Sequence, residues 1–238
     1  MIQLLLLPGL ACNAVMWQHQ MGVLPSGLNP LVSDVHTRFD TVPAMAQALL
    51  QEQPGELVLC GASMGGILAM EVVRQAPGRV KALALLGTNA RPETPDMAQL
   101  REAAINFFNQ GRAREVLMVN LPLAFHPSRA ADTALTQTYL DFVLAAGDLQ
   151  LIRQNRAIMS RPDARLHLPQ VACPTLVICG DADQLTPPEC SREIAALVPG
   201  AELAMIAQCG HMLTMERPLE VNAVLLPWLQ KAMAKQNI

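Results

Sequence analysis

Short apolar runs alternate along this chain with longer stretches whose apolar residues recur at helical spacing. Ile2–Leu7 is apolar except for Gln3 and ends at Pro8-Gly9. Pro30–Val35 is a weaker run of the same kind. Thr41–Gln53 sets Val42, Met45, Ala46, Leu49 and Leu50 on one face, which predicts a helix. Glu56–Cys60 reads as a strand closed by Gly61. Met64–Ala76 reads as a helix carrying Ile67, Met70 and Val73, and it stops at Pro77-Gly78. Val80–Leu86 is again a strand ended by a glycine.

Continuous apolar strands alternating with helices predict a parallel sheet covered on both faces. The rhythm breaks from about Arg91 to His167, where the pattern is mainly helical. It resumes with a strand at Thr175–Cys179, a helix at Pro188–Leu197 and a strand at Glu202–Ile206. A last helix is predicted over Pro218–Lys235. The reading is one core, residues 1–90 and 168–238, with residues 91–167 inserted as a helical lid over one end of the sheet. Phe107, Phe108, Leu117, Met118, Leu121, Phe125, Tyr139, Phe142 and Met159 supply its apolar surface. A few of these are expected to line a pocket, and the rest to pack the insertion on itself.

Composition agrees with one well-filled core. The chain has 238 residues, 51% hydrophobic and 16% charged, too apolar for a disordered segment. Its formal net charge of -3, with scattered Lys and Arg, offers no basic stripe for nucleic acid. No apolar run reaches the roughly 20 residues of a membrane span. Met1–Pro8 has no preceding Lys or Arg and is short for a signal segment, so it reads as a buried strand. A cytoplasmic protein, monomer or homodimer, is expected. Of the six Cys, Cys60, Cys173 and Cys179 lie in or beside apolar runs, and no CxxC occurs. Neither disulfides nor a metal site is expected.

The chemistry gathers at Gly61-Ala62-Ser63-Met64-Gly65-Gly66, between a predicted strand and a predicted helix. The letters Gly-x-Ser-x-Gly alone are a weak pattern; the strand before and helix after make it specific. Gly61 and Gly65 remove side chains that would collide at so sharp a turn. Ser63 is then held proud of the sheet, with the helix N-terminus behind it to favour an oxyanion. A serine needs a base. Of His19, His36, His126, His167 and His211, only His211 follows a late strand on a loop at the reactive end of the sheet. Its far nitrogen needs an acid. Asp181 and Asp183 both follow the strand Thr175–Cys179, and position alone does not choose between them. The oxyanion hole needs two backbone N–H groups: Met64, and one from the loop Pro8-Gly9-Leu10-Ala11, expected to be Leu10.

Three motifs carry a resemblance to the α/β-hydrolase superfamily: the Gly61–Gly66 run, Gly180-Asp181-Ala182-Asp183-Gln184-Leu185-Thr186-Pro187, and Gly210-His211 followed by Glu216-Arg217-Pro218. The resemblance spans nearly the whole chain except the insertion. It implies a mostly parallel α/β sheet of about six strands with a lid, and it places the acid at Asp183. The oxyanion loop departs from the family's usual His-Gly-x, reading Pro8-Gly9-Leu10. The chain is similar to small bacterial carboxylesterases that act on pimeloyl-carrier-protein methyl esters. The resemblance thus implies a cofactor-free serine hydrolase acting on a small or medium ester through an acyl-enzyme. Lactonases and C–C bond hydrolases share the triad, and a slow-turnover ligand sensor is the rival from another class. The stretch Leu86–Pro92 marks the start of the lid, and Arg91 there is expected to be solvated rather than substrate-bound. Activity is expected to fall as His211 protonates near its ordinary pKa of about 6.5.

Overall fold

The computed structural model describes residues 2–234. Six strands form one sheet: β1 Ile2–Leu7, β2 Leu31–Val32, β3 Glu56–Ala62, β4 Val80–Leu86, β5 Thr175–Gly180 and β6 Glu202–Ile206. Their order is β2-β1-β3-β4-β5-β6, and every neighbouring pair is parallel. Three strands differ from the sequence expectation, β5 only by taking in Gly180. The run Pro30–Val35 pairs only at Leu31–Val32, because Pro30 has no N–H for a ladder and Val35 begins a one-turn helix. β3 runs two residues further, since Gly61 and Ala62 pair with Leu85 and Leu86.

Alternation along the strands splits the core in two. Leu5, Leu7, Leu57, Leu59, Leu83, Leu85 and Val177 face one side. There they meet α1 Val42–Glu52, α2 Met64–Gln75 and the helix Pro188–Leu197. Leu4, Leu6, Val58, Cys60, Ala84 and Ile178 face the other, against Trp17 and the last helix, Pro218–Ala234. That helix was predicted to run to Lys235, which lies outside the described residues.

Four helices fill most of the insertion: α3 Pro95–Phe108, α4 Ala113–Ala124, α5 Thr133–Ala145 and α6 Gly147–Met159. Thr94 and Asp132 cap α3 and α5 by accepting from Met97 N and Leu135 N. The insertion meets loops at the carboxyl end of the sheet. Ala124 O accepts from His211 N and Met212 N, and Gln154 Oε1 accepts from Ala11 N. Buried Phe108, Leu117, Phe125 and Phe142 join the same core as the last helix, whereas Met118 is exposed.

The chain leaves β1 for β2 on one side and builds β3 to β6 on the other. The crevice beyond the carboxyl ends of β1 and β3 is therefore the switch point at which doubly wound sheets bind ligands. Among the described residues no helix is long and apolar enough to cross a membrane.

Candidate active site

Ser63 stands at the turn from β3 into α2 with φ 53° and ψ -117°, a strained conformation for a residue with a side chain. The surroundings enforce it. Its N–H donates to Leu86 O at 2.9 Å. Its carbonyl accepts from Gly66 N and Ile67 N, and from Thr88 Oγ1 at 2.7 Å. A Cβ on Gly65 would lie 1.9 Å from Leu7 O, and one on Gly61 would lie 2.3 Å from Gly65 O. Only glycine allows β1, β3 and α2 to approach this closely. Ser63 is half-buried. Among the described residues its Oγ makes no hydrogen bond, to His211 or elsewhere.

His211 follows β6 and Asp183 follows β5. His211 Nδ1 lies 2.8 Å from Asp183 Oδ2. The carboxylate also accepts from Leu185 N and Thr186 N at 2.9 Å and from Thr186 Oγ1 at 2.8 Å. An ionised carboxylate can only accept, so Nδ1 carries the proton and Nε2 keeps a free lone pair. Asp181 instead is exposed and accepts from Cys209 N at 3.2 Å. Burial pushes the Asp183 carboxyl up, but the His211 charge, its hydrogen bond and the Thr186 bonds outweigh it, so the group sits below its ordinary range. Burial pushes His211 down; the Asp183 charge and hydrogen bond, with help from Glu216, outweigh it and hold His211 above 6.5.

Gly87 and Thr88, just past β4, link the two parts. A Cβ on Gly87 would meet Asp183 Oδ2 at 3.1 Å and His211 Nδ1 at 3.5 Å, while its neighbour Thr88 holds Ser63 O. The loop after β1 completes the cluster, since a Cβ on Gly9 would touch Ser63 Cβ at 3.4 Å. Among the described residues, the N–H groups of Leu10 and Met64 donate to nothing. A cavity of about 240 Å³ lies beside this loop, lined in part by Pro8, Ala11, Cys12, His36, Phe142 and Gln150.

The other histidines are engaged elsewhere. His36 Nε2 lies 3.0 Å from Cys12 O, His167 Nε2 lies 3.1 Å from Met70 O, and His126 Nδ1 lies 2.7 Å from Ser128 Oγ. His19 is exposed beside Gln18. Arg91 pairs with Glu193 on the surface. Among the described residues, no group of three or more His, Cys, Asp or Glu is arranged to hold a metal.

Sequence reasoning missed Thr88, Thr186 and Gln154. Gln154 is fully buried; it accepts from Ala11 N at 2.8 Å and donates to His36 O at 3.2 Å, fixing two loops at once. Thr186 lies inside the Asp183 motif, so its proximity was readable. Nothing in the spacing of residues 11, 36 and 154 reports their contact.

A parallel sheet with a strained serine elbow and a buried His–Asp pair at its carboxyl edge defines the α/β-hydrolase class. A sequence profile of the alpha/beta hydrolase fold matches residues 19–218, so the chain belongs to that family and is a hydrolase of it. Among curated relatives it is similar to a pimeloyl-[acyl-carrier protein] methyl ester esterase of Aromatoleum aromaticum. The two are 29% identical over 94% of this chain and 96% of that one. It is 27% identical to a putative carbamate hydrolase RutD of Serratia proteamaculans, over 87% of this chain and 78% of that one. Among solved structures it is similar to a thermophilic esterase from Thermogutta terrifontis. The TM-score is 0.89 at 25% identity, covering 98% of this chain and 90% of that one.

Proposed function

We propose that this chain is a serine hydrolase of small or medium carboxylic esters, with Ser63 as nucleophile, His211 as general base and Asp183 as the group that orients and charges the imidazole. One observation carries the reading. Ser63 is half-buried at a strained turn, and the strand end that holds its carbonyl also packs against a His–Asp pair with a free Nε2. In this reading His211 Nε2 takes the Ser63 proton as Oγ attacks the ester carbonyl. The tetrahedral oxyanion falls between the unpaired N–H groups of Leu10 and Met64. His211 then gives the proton to the leaving alcohol, and water repeats the cycle on the acyl-enzyme. No cofactor takes part in these steps.

The insertion, residues 91–167, acts as a cover on a core formed by residues 1–90 and 168–238. The cavity beside Pro8 and Ala11 would receive the non-reacting end of the substrate. Its volume of about 240 Å³ is that of roughly eight waters, which suits a short chain rather than a macromolecule. The methyl ester esterase relative supports an ester over other acyl compounds. Hydrolysis of p-nitrophenyl esters of rising chain length tests the proposal. Turnover is expected to be fastest with short acyl groups and to fall by about 10³-fold or more in Ser63→Ala. Equal rates in Ser63→Ala, or a single slow turnover in the parent, would refute it.

A further inference from the structure

Glu216 is a second buried carboxylate beside the site, with no role in the steps above. It ends a one-turn helix, Leu213–Glu216, that follows His211, and it is only 3% exposed. Its Oε2 accepts from His126 N at 2.8 Å, and both of its oxygens lie 3.1 Å from Gly210 N. His126 is the first residue past Phe125 in the insertion, and Gly210 directly precedes His211. The two segments lie backbone against backbone, since a Cβ on Gly210 would be 2.5 Å from His126 N. Ala124 O completes the seam by accepting from His211 N and Met212 N. Among the described residues, both partners of the Glu216 carboxylate are backbone N–H donors, which suit an ionised group.

We propose that Glu216 is a positioning residue for His211: it fastens the loop before the imidazole to the insertion and places a second negative charge near the ring. The proposal rests on His211 being the general base, as argued above. Its consequence is that the seam at 124–126 is a fixed wall of the site, so any opening of the cover occurs elsewhere in the insertion. Among the described residues, the ionisable groups around the seam are Asp181 and Asp183 from the loop after β5, His126 from the insertion, and Cys209 and Arg217 on either side of the His211 loop. Burial raises Glu216 above its ordinary range, opposed by its bonds to His126 N and Gly210 N. The Cys209 thiol is raised by burial and stays neutral. Glu216 and Asp183 are then the two anions acting on His211.

The test is hydrolysis of p-nitrophenyl acetate from about pH 5 to 9 by the parent, Glu216→Gln, Glu216→Asp and Ser63→Ala. Glu216→Gln is expected to lower kcat about tenfold with KM within about twofold, because a loosened base misplaces the proton transfer. Its acid limb is expected at lower pH than the parent's, since the imidazole has lost one of two anionic neighbours. Glu216→Asp keeps the charge but not the reach, so it is expected to keep the parent's acid limb with a lower kcat. A Glu216→Gln enzyme with the parent's kcat and acid limb overturns the proposal, even if it melts at lower temperature. If that variant does not fold, Glu216→Asp decides, and a parental kcat there overturns the proposal. Activity that survives Ser63→Ala overturns the nucleophile assignment and this proposal with it.

Discussion

Ser63, the proposed nucleophile, is held in a strained backbone conformation, and the neighbours that hold it there are expected to be the residues most sensitive to change. A methyl group at Gly65 would lie 1.9 Å from the Leu7 carbonyl, which cannot move without breaking β1 from β3. Gly65→Ala is expected to abolish soluble expression or activity. Gly78→Ala, with open space around its Cβ, is expected to change stability by less than about 0.5 kcal/mol. Thermal unfolding of the two variants checks the contrast. Gln154→Leu should leave the Ala11 N–H and His36 carbonyl without partners. A cost of about 1–3 kcal/mol in urea unfolding is expected, with reduced kcat, because the same loop carries Leu10. Unchanged stability would show that water replaces the amide. The Ser63 turn and the loops that carry His211, Asp181 and Asp183 were legible in the sequence because a tight turn and strand ends leave local marks. Gln154 and Thr88 were not: each works through a partner far away in the chain, and no local pattern encodes that.

Among the elements, one buried charge cluster holds the two ends of the insertion against each other. Glu93, just before α3, accepts from Arg101 at 2.5 Å and from Arg161 at 2.9 Å, and the Arg161 side chain is only 5% exposed. Arg161 also donates to Arg91 O and Ile158 O, so the start and end of the insertion are fastened together. Glu93→Ala leaves the Arg161 charge buried and unpaired, and a loss of about 3–5 kcal/mol is expected. Arg91→Ala, at the solvent-screened Arg91–Glu193 pair, is expected to leave stability nearly unchanged. Burial raises the Glu93 carboxyl, but Arg161 and Arg101 outweigh it and hold it below its ordinary range. A lowered folded-state pKa stabilises above the unfolded value of about 4.3 and loses that contribution as pH falls through the folded value. The gap in stability between parent and Glu93→Ala should therefore narrow below about pH 4. The helices and inner strands of the core were readable from periodicity. The short strand β2 was readable only as a weak run with bounds too wide at both ends, because an edge strand needs few ladder bonds and Pro30 cuts it short.

For the whole molecule, the insertion and the sheet share one buried core. Phe108, Leu117, Phe125 and Phe142 pack in the same cluster as Leu4, Val58 and Trp228. Unfolding in urea is expected as one transition by both fluorescence and circular dichroism. Two separated transitions would show that the insertion folds independently. The acid limb of kcat/KM also belongs to this scale, since charges from two loops set it. Asp183 and Glu216 outweigh burial at His211, so the loss of activity on acidification is expected to begin above pH 6.5. A flat profile down to about pH 4 would contradict a histidine base.

The proposed chemistry requires that His211 activate Ser63, although Ser63 Oγ makes no hydrogen bond to it in this structure. Mass spectrometry after a fluorophosphonate pulse reads this directly. One adduct on Ser63 is expected in the parent, none in Ser63→Ala, and labelling slowed by about 10³-fold or more in His211→Ala. Labelling at another residue, or at Ser63 with equal speed without the imidazole, would contradict it.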